Sequence, residues 1–511
     1  MGRKDAVGFA SLLIAAAAPV HAVETTTLPA ALPSSFDSSL QAAQSAAMNN
    51  DCTGVLAALD PIVPQLGQVP QRPIIQRMRL ACLAATGRTG EIPAVQQELA
   101  KTLPKDGLVQ AFGVLVAADS SHFVDAADKI VQLAGSSPKN LELLTGASVR
   151  AIAIQLGEQR AFDARGRMMV ALAKADWLPA DMPDLRVSVT QGAIDSLVDQ
   201  GRADEAANLL ERVDEPEQLT AMAIERRYSV LWPSIEDMLG TNGKPLVDRY
   251  AKSKLDLYSD NPDAPGALRD AAAAMLLLGR YDDVVQMTSD VVPHDGMDRD
   301  SVRTALIRAR ALLALKRTDD ALKLMTGFAA LNLAKTPEAA ATLVTYAEML
   351  DEAGREEQAL TAARAINATA GQFLTDYGKR WVDRTEVCAL GALGRTAEAN
   401  AAMAKLLAAV QQNQPATIEA LLCLKRDAEA EKLLIKAIDD KDVASNIVVQ
   451  FQPAASQWAA APSRLRLLWQ AFLARPAVKA AFERKGRLLP KAMWPTPGAR
   501  PVPRDKGTNL T

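Results

Sequence analysis

The four cysteines are the residues of this 511-residue chain whose spacing most directly indicates chemistry. They form two pairs along the sequence, Cys52 with Cys82 and Cys388 with Cys423. Cys52 begins a predicted helix and Cys82 lies near the end of the next one, so both thiols fall at the same end of adjacent antiparallel helices. We predict a disulfide there, which an oxidising compartment would favour. Cys388 and Cys423 lie six and two residues before their turns, and this register leaves open either a second disulfide or two buried thiols.

Metal-binding and catalytic patterns are scarce in the sequence. Only His122 and His294 follow the N-terminal apolar stretch, and no cysteine pair has the CxxC spacing of a zinc site. An aspartate-rich stretch at 290–300 lacks the regular alternation and terminal Glu of a calcium loop, so we expect a solvated loop. Neither a GxSxG nucleophile turn nor a glycine-rich phosphate loop occurs. We therefore predict no catalytic residue, metal or cofactor, with an accessory hydrolase as a remote alternative.

A mid-chain group of aromatic and arginine side chains is dense for a chain with only 4% aromatic residues. Tyr, Trp and Arg are the residue types that most often anchor protein interfaces. The group is therefore a candidate for partner binding, and the alternative is that it fills an irregular core around Pro233. Its members are Arg226, Arg227, Tyr228, Trp232, Tyr250 and Tyr258.

The C-terminal stretch 462–511 carries 11 Lys and Arg against two Asp and Glu, a net charge of +9 in a chain whose total is −3. Four apolar residues from Leu465 to Phe472 recur at helical spacing and form an apolar stripe. One interpretation is a helix that caps a helical array. The other is a basic surface for anionic lipid, a cell-wall polymer or an acidic partner, whereas nucleic acid is a poor candidate because the rest of the chain is acidic. The basic residues concerned are Arg464, Arg466, Arg475, Lys479, Arg484, Lys485, Arg487 and Lys491.

All these residues must be positioned by helices, and a repeated turn indicates how the helices are arranged. Seven times, a Gly-Arg or Lys-Arg dipeptide separates two apolar helical stretches. Glycine closes a helix because it tolerates the left-handed backbone, and the residue five positions later lies where the two helices approach most closely. The dipeptides begin at Gly87, Gly201, Gly279, Lys316, Gly354, Gly394 and Lys425, and the later residues are Ile92, Ala206, Val284, Ala321, Ala359, Ala399 and Ala430.

The spacing of these turns indicates a repeat. From Gly279 onward they follow at intervals of 37, 38, 40 and 31 residues. Weaker turns at Asn50, Ser121, Gly157 and Gly240 complete a ladder of about eleven helix–turn–helix units. A single helical hairpin cannot bury both of its faces, so successive hairpins must stack.

The turn, the small residue after it and the period together resemble the tetratricopeptide repeat superfamily over roughly residues 40–440. Ala309 and Ala347 match the small position of the family's first helix. The resemblance implies a protein-interaction scaffold that binds peptides or partner proteins on its concave face, without catalysis. We predict an all-α fold, a right-handed α-solenoid of about eleven tetratricopeptide-like hairpins with a C-terminal capping helix.

The N-terminus predicts export from the cytoplasm. Arg3 and Lys4 precede a nearly continuous apolar stretch, and Val20-His21-Ala22 suits cleavage by a signal peptidase after Ala22. We expect a bacterial periplasmic protein that acts as a non-catalytic adaptor of the envelope. The alternative is a membrane- or cell-wall-associated protein that binds through its basic C-terminal helix. The predicted segments are a signal peptide (1–22), a disordered leader (23–36), the solenoid (37–440), basic capping helices (441–492) and a disordered tail (493–511).

Overall fold

A computed structural model describes residues 34–67 and 69–503, and the regular structure of these residues is helical. Among these residues, Glu225 and Gly486 form an isolated antiparallel β-bridge. The chain divides into two compact units, Met1–Val213 and Asp214–Thr511. Each unit consists of stacked helical hairpins, so the fold class is all-α, as predicted.

Unit 1, the first of these, contains five successive helical hairpins in its described part. Fully buried leucines such as Leu59, Leu83 and Leu99 fill the space between the hairpins. The helices are α1 (Ser34–Met48), α2 (Cys52–Leu59), α3 (Arg72–Ala85), α4 (Ile92–Thr102), α5 (Gly107–Asp119), α6 (Phe123–Ser136), α7 (Gly146–Glu158), α8 (Phe162–Lys174), α9 (Leu185–Asp199) and α10 (Ala203–Leu210).

Unit 2 begins with two short helices, continues with regular hairpins and ends with three helices, the last two of which belong to the basic C-terminal stretch. The helices are α11 (Pro216–Ile224), α12 (Trp232–Leu239), α13 (Lys244–Asp260), α14 (Ala267–Leu277), α15 (Tyr281–Met287), α16 (Arg299–Ala314), α17 (Thr318–Ala329), α18 (Ala340–Glu352), α19 (Glu356–Thr369), α20 (Asp376–Ala392), α21 (Thr396–Ala408), α22 (Gln414–Cys423), α23 (Asp427–Ala437), α24 (Lys441–Val448), α25 (Arg464–Leu473) and α26 (Pro476–Lys485).

The predicted turns have the left-handed backbone that closes a helix. The first residue of all seven dipeptides has a positive φ, including Lys316 at 60° and Lys425 at 56°. The next residue donates its N–H to a carbonyl five positions back, as from Arg88 to Leu83 at 2.9 Å. This is the Schellman closure, which satisfies carbonyls that the helix end leaves without a partner. The residues five positions after the turns are all buried, with at most 1% of their surface exposed.

Three of the four weaker turns also have a positive φ, at Asn50, Ser121 and Gly240. The fourth prediction was wrong, because Gly157 lies inside α7 and the positive φ, 56°, occurs at Arg160. Glycine is not required at this turn, since the arginine accepts the left-handed conformation.

The arginine of the turn has a second role. In six of the seven turns its side chain pairs with a carboxylate three residues later, at the start of the second helix. Arg202, for example, places Nε 2.7 Å from Oε1 of Glu205. A carboxylate in the first turn also favours the positive end of the helix dipole. The Arg355 side chain instead pairs with Asp319 of the preceding hairpin.

The start of unit 2 departs from the regular ladder. Pro216 and Pro233 lie at the N-termini of α11 and α12, where the missing N–H of proline is tolerated. Between these helices Glu225 has an extended backbone (φ −89°, ψ 128°). These features explain why no Gly-Arg turn occurs between Gly201 and Gly279.

The C-terminal helices pack against the last hairpin. Helix α25 contacts α22, and α26 contacts α23. Leu465, Trp469 and Phe472 of the predicted stripe are buried, and the Trp469 ring lies 5.0 Å from that of Phe451. The stripe therefore forms an aromatic core beneath α25.

Predictions for the two ends of the chain fall partly outside the described residues. The proposed signal peptide (1–22) and residues 504–511 lie outside them. Helix α1 begins at Ser34, within the stretch expected to be a disordered leader. Residues 493–503 are expected to be a disordered tail. Instead, the Trp494 carbonyl accepts a hydrogen bond from Asn242, and the Arg500 side chain donates to Asp248. No helix within 34–67 and 69–503 has the length and apolar character needed to cross a membrane.

Candidate functional site

Both cysteine pairs are joined as disulfides. The Cα atoms of Cys52 and Cys82 are 4.8 Å apart, and those of Cys388 and Cys423 are 5.2 Å apart. Cys388 and Cys423 therefore form a second disulfide rather than two buried thiols, the alternative that the sequence leaves open. Helices α20 and α22 are the first helices of successive hairpins and contact each other directly, which brings these two residues together.

The mid-chain aromatic group is divided between the core and the surface. Tyr228 and Tyr250 are buried, with 3% and 8% of their surfaces exposed, and burial raises the pKa of Tyr250. Tyr258 is half-buried on the same helix as Tyr250. The Arg227 guanidinium lies 5.1 Å from the centre of the Tyr228 ring. Two of the six candidates therefore belong to the core and are inaccessible to a partner.

Trp232 lies between two arginines of unit 2. The guanidinium carbon of Arg226 is 5.1 Å from the ring centre, and that of Arg487 is 3.6 Å from it. The indole N–H donates to the carbonyl of Met222 at 3.3 Å. The structure thus brings a predicted aromatic candidate into contact with a predicted member of the basic patch.

Three arginines of the basic patch form ion pairs with carboxylates of unit 2. Arg464 pairs with Asp351, Arg475 pairs with Glu431, and Arg487 lies 2.6 Å from Glu236. The acidic residues belong to α18, α23 and α12. These contacts explain the excess positive charge of the C-terminal stretch, since it is complementary to acidic residues of the same unit.

The other residues of the basic patch differ in their contacts. Arg484 and Lys485 lie 3.5 and 3.3 Å from Asp439. Arg466 donates to the backbone carbonyls of residues 449 and 450, and burial lowers its pKa. Lys479 lies 3.9 Å from a glutamate on its own helix, and Lys491 is exposed. Most of the patch is therefore engaged within unit 2.

A buried charge network joins α18, α20 and α22 to the C-terminal helix α25. Arg384 is fully buried, and its guanidinium approaches Glu419 at 3.0 Å, Glu348 at 3.1 Å and Asp351 at 3.5 Å. The Trp469 indole N–H donates to Glu419 Oε2 at 2.7 Å. Burial raises the pKa of the Asp351 and Glu419 carboxyl groups.

Glu352 extends this network to the N-terminus of α25. Its carboxylate accepts the Arg464 backbone N–H at 2.8 Å and the Ser463 hydroxyl. Burial raises the pKa of Glu352. These contacts attach the N-terminus of α25 to α18.

The sequence does contain a signal for this network. Arg384 lies one helical turn before Cys388, and Glu419 lies one turn before Cys423. A basic and an acidic residue thus occupy equivalent positions in helices that a disulfide connects. Glu419 is the one charged residue of α22, which indicates a buried partner, whereas Arg384 has charged neighbours in the sequence.

The C-terminal segment, residues 486–503, lies across the first helices of unit 2. Hydrogen bonds to its main chain hold it there. The Arg487 N–H donates to the Ile224 carbonyl at 2.8 Å. The Gln452 carboxamide bonds both a carbonyl and an N–H of the segment, at residues 487 and 489, at 3.0 and 2.9 Å. Asn242 donates to the Trp494 carbonyl at 2.9 Å. At the far end the N–H of residue 500 donates to the carbonyl of residue 278 at 2.8 Å.

Two arginine side chains fix the ends of the segment. Besides Glu236 and Trp232, Arg487 contacts the Ala223 carbonyl at 2.7 Å. Arg500 lies 2.9 Å from Asp248. We call the set of residues that contact the segment the segment site. Its polar members are Trp232, Glu236, Asn242, Asp248 and Gln452.

The similarities of this chain to known proteins are structural and distant. No known protein family matches the sequence, and no curated protein matches it. The chain is similar to one in the crystal structure of the APC/C hetero-tetramer Cut9–Hcn1, with 12% identity, a TM-score of 0.32 and coverage of 88% of this chain and 96% of that chain. It is also similar to one in the structure of Naa15/Naa10 bound to HypK-THB, with 13% identity, a TM-score of 0.26 and coverage of 81% and 71%. At these values neither similarity indicates a partner or an activity.

Proposed function

We propose that this chain is a non-catalytic interaction scaffold of the bacterial envelope that binds a protein or peptide partner on its stacked hairpins. The observation that carries this proposal is the C-terminal segment, a largely irregular stretch with one 3-10 turn at Lys491–Met493, which unit 2 holds through main-chain hydrogen bonds. A surface that binds one peptide segment through its main chain has the hydrogen-bonding groups to bind others.

Three carboxyl groups whose pKa is raised by burial support a structural rather than a catalytic role. Asp351, Glu352 and Glu419 are surrounded by arginine, backbone N–H and indole partners from neighbouring helices. A general acid or base must reach a substrate, whereas these groups attach α25 to the hairpins.

A periplasmic location follows from the predicted signal peptide and gains support from the two disulfides. Disulfides persist in oxidising compartments and are rare in the cytosol. Osmotic-shock fractionation of the source bacterium, with alkylation of free thiols before lysis, tests this location. Recovery of the chain in the cytosolic fraction with alkylated cysteines would refute it.

The interaction itself is tested by crosslinked affinity purification from the native envelope with the full chain as bait. An unrelated helical periplasmic protein serves as the control bait. The captured protein is then purified and titrated against the full chain by calorimetry. A saturable complex of defined stoichiometry is expected, and the absence of any direct complex would overturn the scaffold proposal.

Binding to an anionic surface through the C-terminal helix gains no support from the ion pairs of Arg464, Arg475 and Arg487, which already have carboxylate partners. Co-sedimentation with phosphatidylglycerol vesicles separates the two functions. We expect the full chain to remain in the supernatant. Sedimentation that is lost in a Lys479→Glu/Lys491→Glu variant would instead favour the membrane-associated alternative.

A further inference from the structure

We propose that the segment site is a binding site for a basic peptide of a partner protein, and that residues 486–503 occupy it as an intramolecular ligand. This inference rests on the scaffold function proposed above. It specifies where on unit 2 the partner binds and which chemistry the partner peptide must have.

The first argument is that the site recognises a main chain rather than a particular sequence. Gln452 bonds both a carbonyl and an N–H of the segment, and Asn242 bonds a third backbone group near its middle. The extended residue Glu225 adds a β-bridge at Gly486. Carboxamides and strand edges make these contacts with any extended peptide, which is how β-addition gives affinity without sequence specificity.

The second argument is that two acidic positions select basic side chains. At one end Glu236 and the Trp232 ring hold a guanidinium by charge and by cation–π contact. At the other end Asp248 pairs with the Arg500 guanidinium. The two arginines are 13 residues apart in the segment. A partner peptide therefore needs two basic residues separated by a similar number of residues.

The third argument is that part of the segment is exposed, although Leu489 and Met493 before that part are buried. Residues 496–499 are exposed, although Gly279 approaches the segment there. Proline stands at positions 490, 495, 497, 501 and 503, so five residues have no N–H to donate. Such a segment is displaced more readily than a strand with a full ladder of hydrogen bonds, because fewer bonds must break.

Because the segment is covalently attached, it competes at a high effective concentration, on the order of millimolar for a short flexible connection. A free peptide must therefore bind weakly to the unmodified chain and more tightly once the segment is released. This difference in affinity for a free peptide distinguishes a peptide-binding site from an ordinary structural contact.

The test uses the full chain and a fluorescein-labelled synthetic peptide with the sequence of residues 486–503, titrated by fluorescence anisotropy. In an Arg500→Asp chain the C-terminal end of the segment is repelled by Asp248. We expect this chain to bind the peptide at least about tenfold more tightly than the unmodified chain. An Arg484→Asp chain has the same charge change outside the segment site, so it must bind as the unmodified chain does.

A charge exchange tests whether binding depends on the pairing of residues 248 and 500. An Asp248→Arg chain should bind a peptide with Arg500→Asp and should lose affinity for the original peptide. Circular dichroism verifies folding, and Asn242→Ala in the Arg500→Asp background replaces this variant if it unfolds and should weaken binding several-fold. Equal affinity of all chains, or binding that ignores residues 242 and 248, overturns the inference.

The outcome is separable from that of the scaffold proposal. If the peptide fails to bind while the purified partner still forms a complex with the full chain, only the segment site is refuted. If both fail, the scaffold function is refuted as well.

Discussion

Arg384 Nε lies 3.0 Å from Glu419 Oε1, and this buried ion pair is one helical turn from the disulfide between Cys388 and Cys423. The members of each pair are 35 residues apart, close to the 31-residue interval between the turns at Gly394 and Lys425. The ion pair and the disulfide are thus two parallel links between the first helices of successive hairpins. Through Trp469 the ion pair also holds the C-terminal helix α25.

Removing one member of this buried pair should destabilise unit 2 strongly. Arg384→Met leaves Glu419 buried without its nearest countercharge, and we expect the free energy of unfolding to fall by roughly 3–5 kcal/mol. The double variant Arg384→Met/Glu419→Leu should recover part of this loss because no unpaired charge remains. Urea unfolding followed by circular dichroism measures both effects.

The matched control is an ion pair of the same type at the surface. Arg317→Met breaks the half-exposed contact with Asp320, and exposed pairs contribute about 0–1 kcal/mol. If Arg384→Met costs no more than this control, the buried network has no stabilising role.

Loss of the second disulfide should also lower stability. Cys388→Ala/Cys423→Ala releases a loop of 35 residues, for which the chain-entropy model gives about 3–4 kcal/mol. Unfolding of this variant and of the unmodified chain is compared without reductant. Titration with a thiol reagent in denaturant should find no free thiol in the unmodified chain, and four reactive thiols there would contradict both disulfides.

The hairpin array is predictable because its turns are encoded locally. Gly354 and Arg355 specify a left-handed closure and a backbone bond to residue 350 within six residues of sequence. The small residue Ala359 then marks the closest approach of the two helices. Each of these features depends on neighbours in the chain, so a single sequence contains enough information to locate them.

The segment site is not predictable in this way. Arg500 and Asp248 are 252 residues apart, and no periodicity relates them. The basic stretch indicates that acidic partners exist, but their positions depend on how unit 2 brings its last residues to its first helices. For the same reason the sequence cannot show that Trp232 and Arg487, identified as separate candidates, contact each other.

Glu205, the carboxylate that pairs with Arg202 of its turn, should titrate with a pKa below its ordinary range. Hydrogen bonds from Arg202 and Lys174 lower the pKa of Glu205 to about 2. Since the folded pKa is below the unfolded value, the stabilisation is present above about pH 4.3 and is lost as the pH falls towards 2. Carboxyl carbon chemical shifts measured against pH test this value. In an Arg202→Met chain the pKa should move back up, and an unchanged titration curve would exclude the turn arginine as the cause.

Two turn glycines with nearly the same φ should respond differently to alanine. Gly394 has φ 69° and nothing within 4 Å of an added Cβ, so Gly394→Ala should cost only the strain of the left-handed backbone, about 1–2 kcal/mol. Gly279 has φ 71°, but an added Cβ would lie 2.6 Å from the Gly498 carbonyl oxygen. Because that oxygen belongs to the backbone, Gly279→Ala must also displace the C-terminal segment.

Limited proteolysis of the two full-length variants distinguishes these effects. We expect faster cleavage within residues 486–503 for Gly279→Ala, while Gly394→Ala keeps the cleavage pattern of the unmodified chain. Amide hydrogen exchange should locate the change, with protection lost at Arg500, whose N–H bonds the carbonyl of Leu278 next to the substituted glycine. If both variants show the same protection at Arg500, the close approach of Gly279 to the segment does not hold the segment in place.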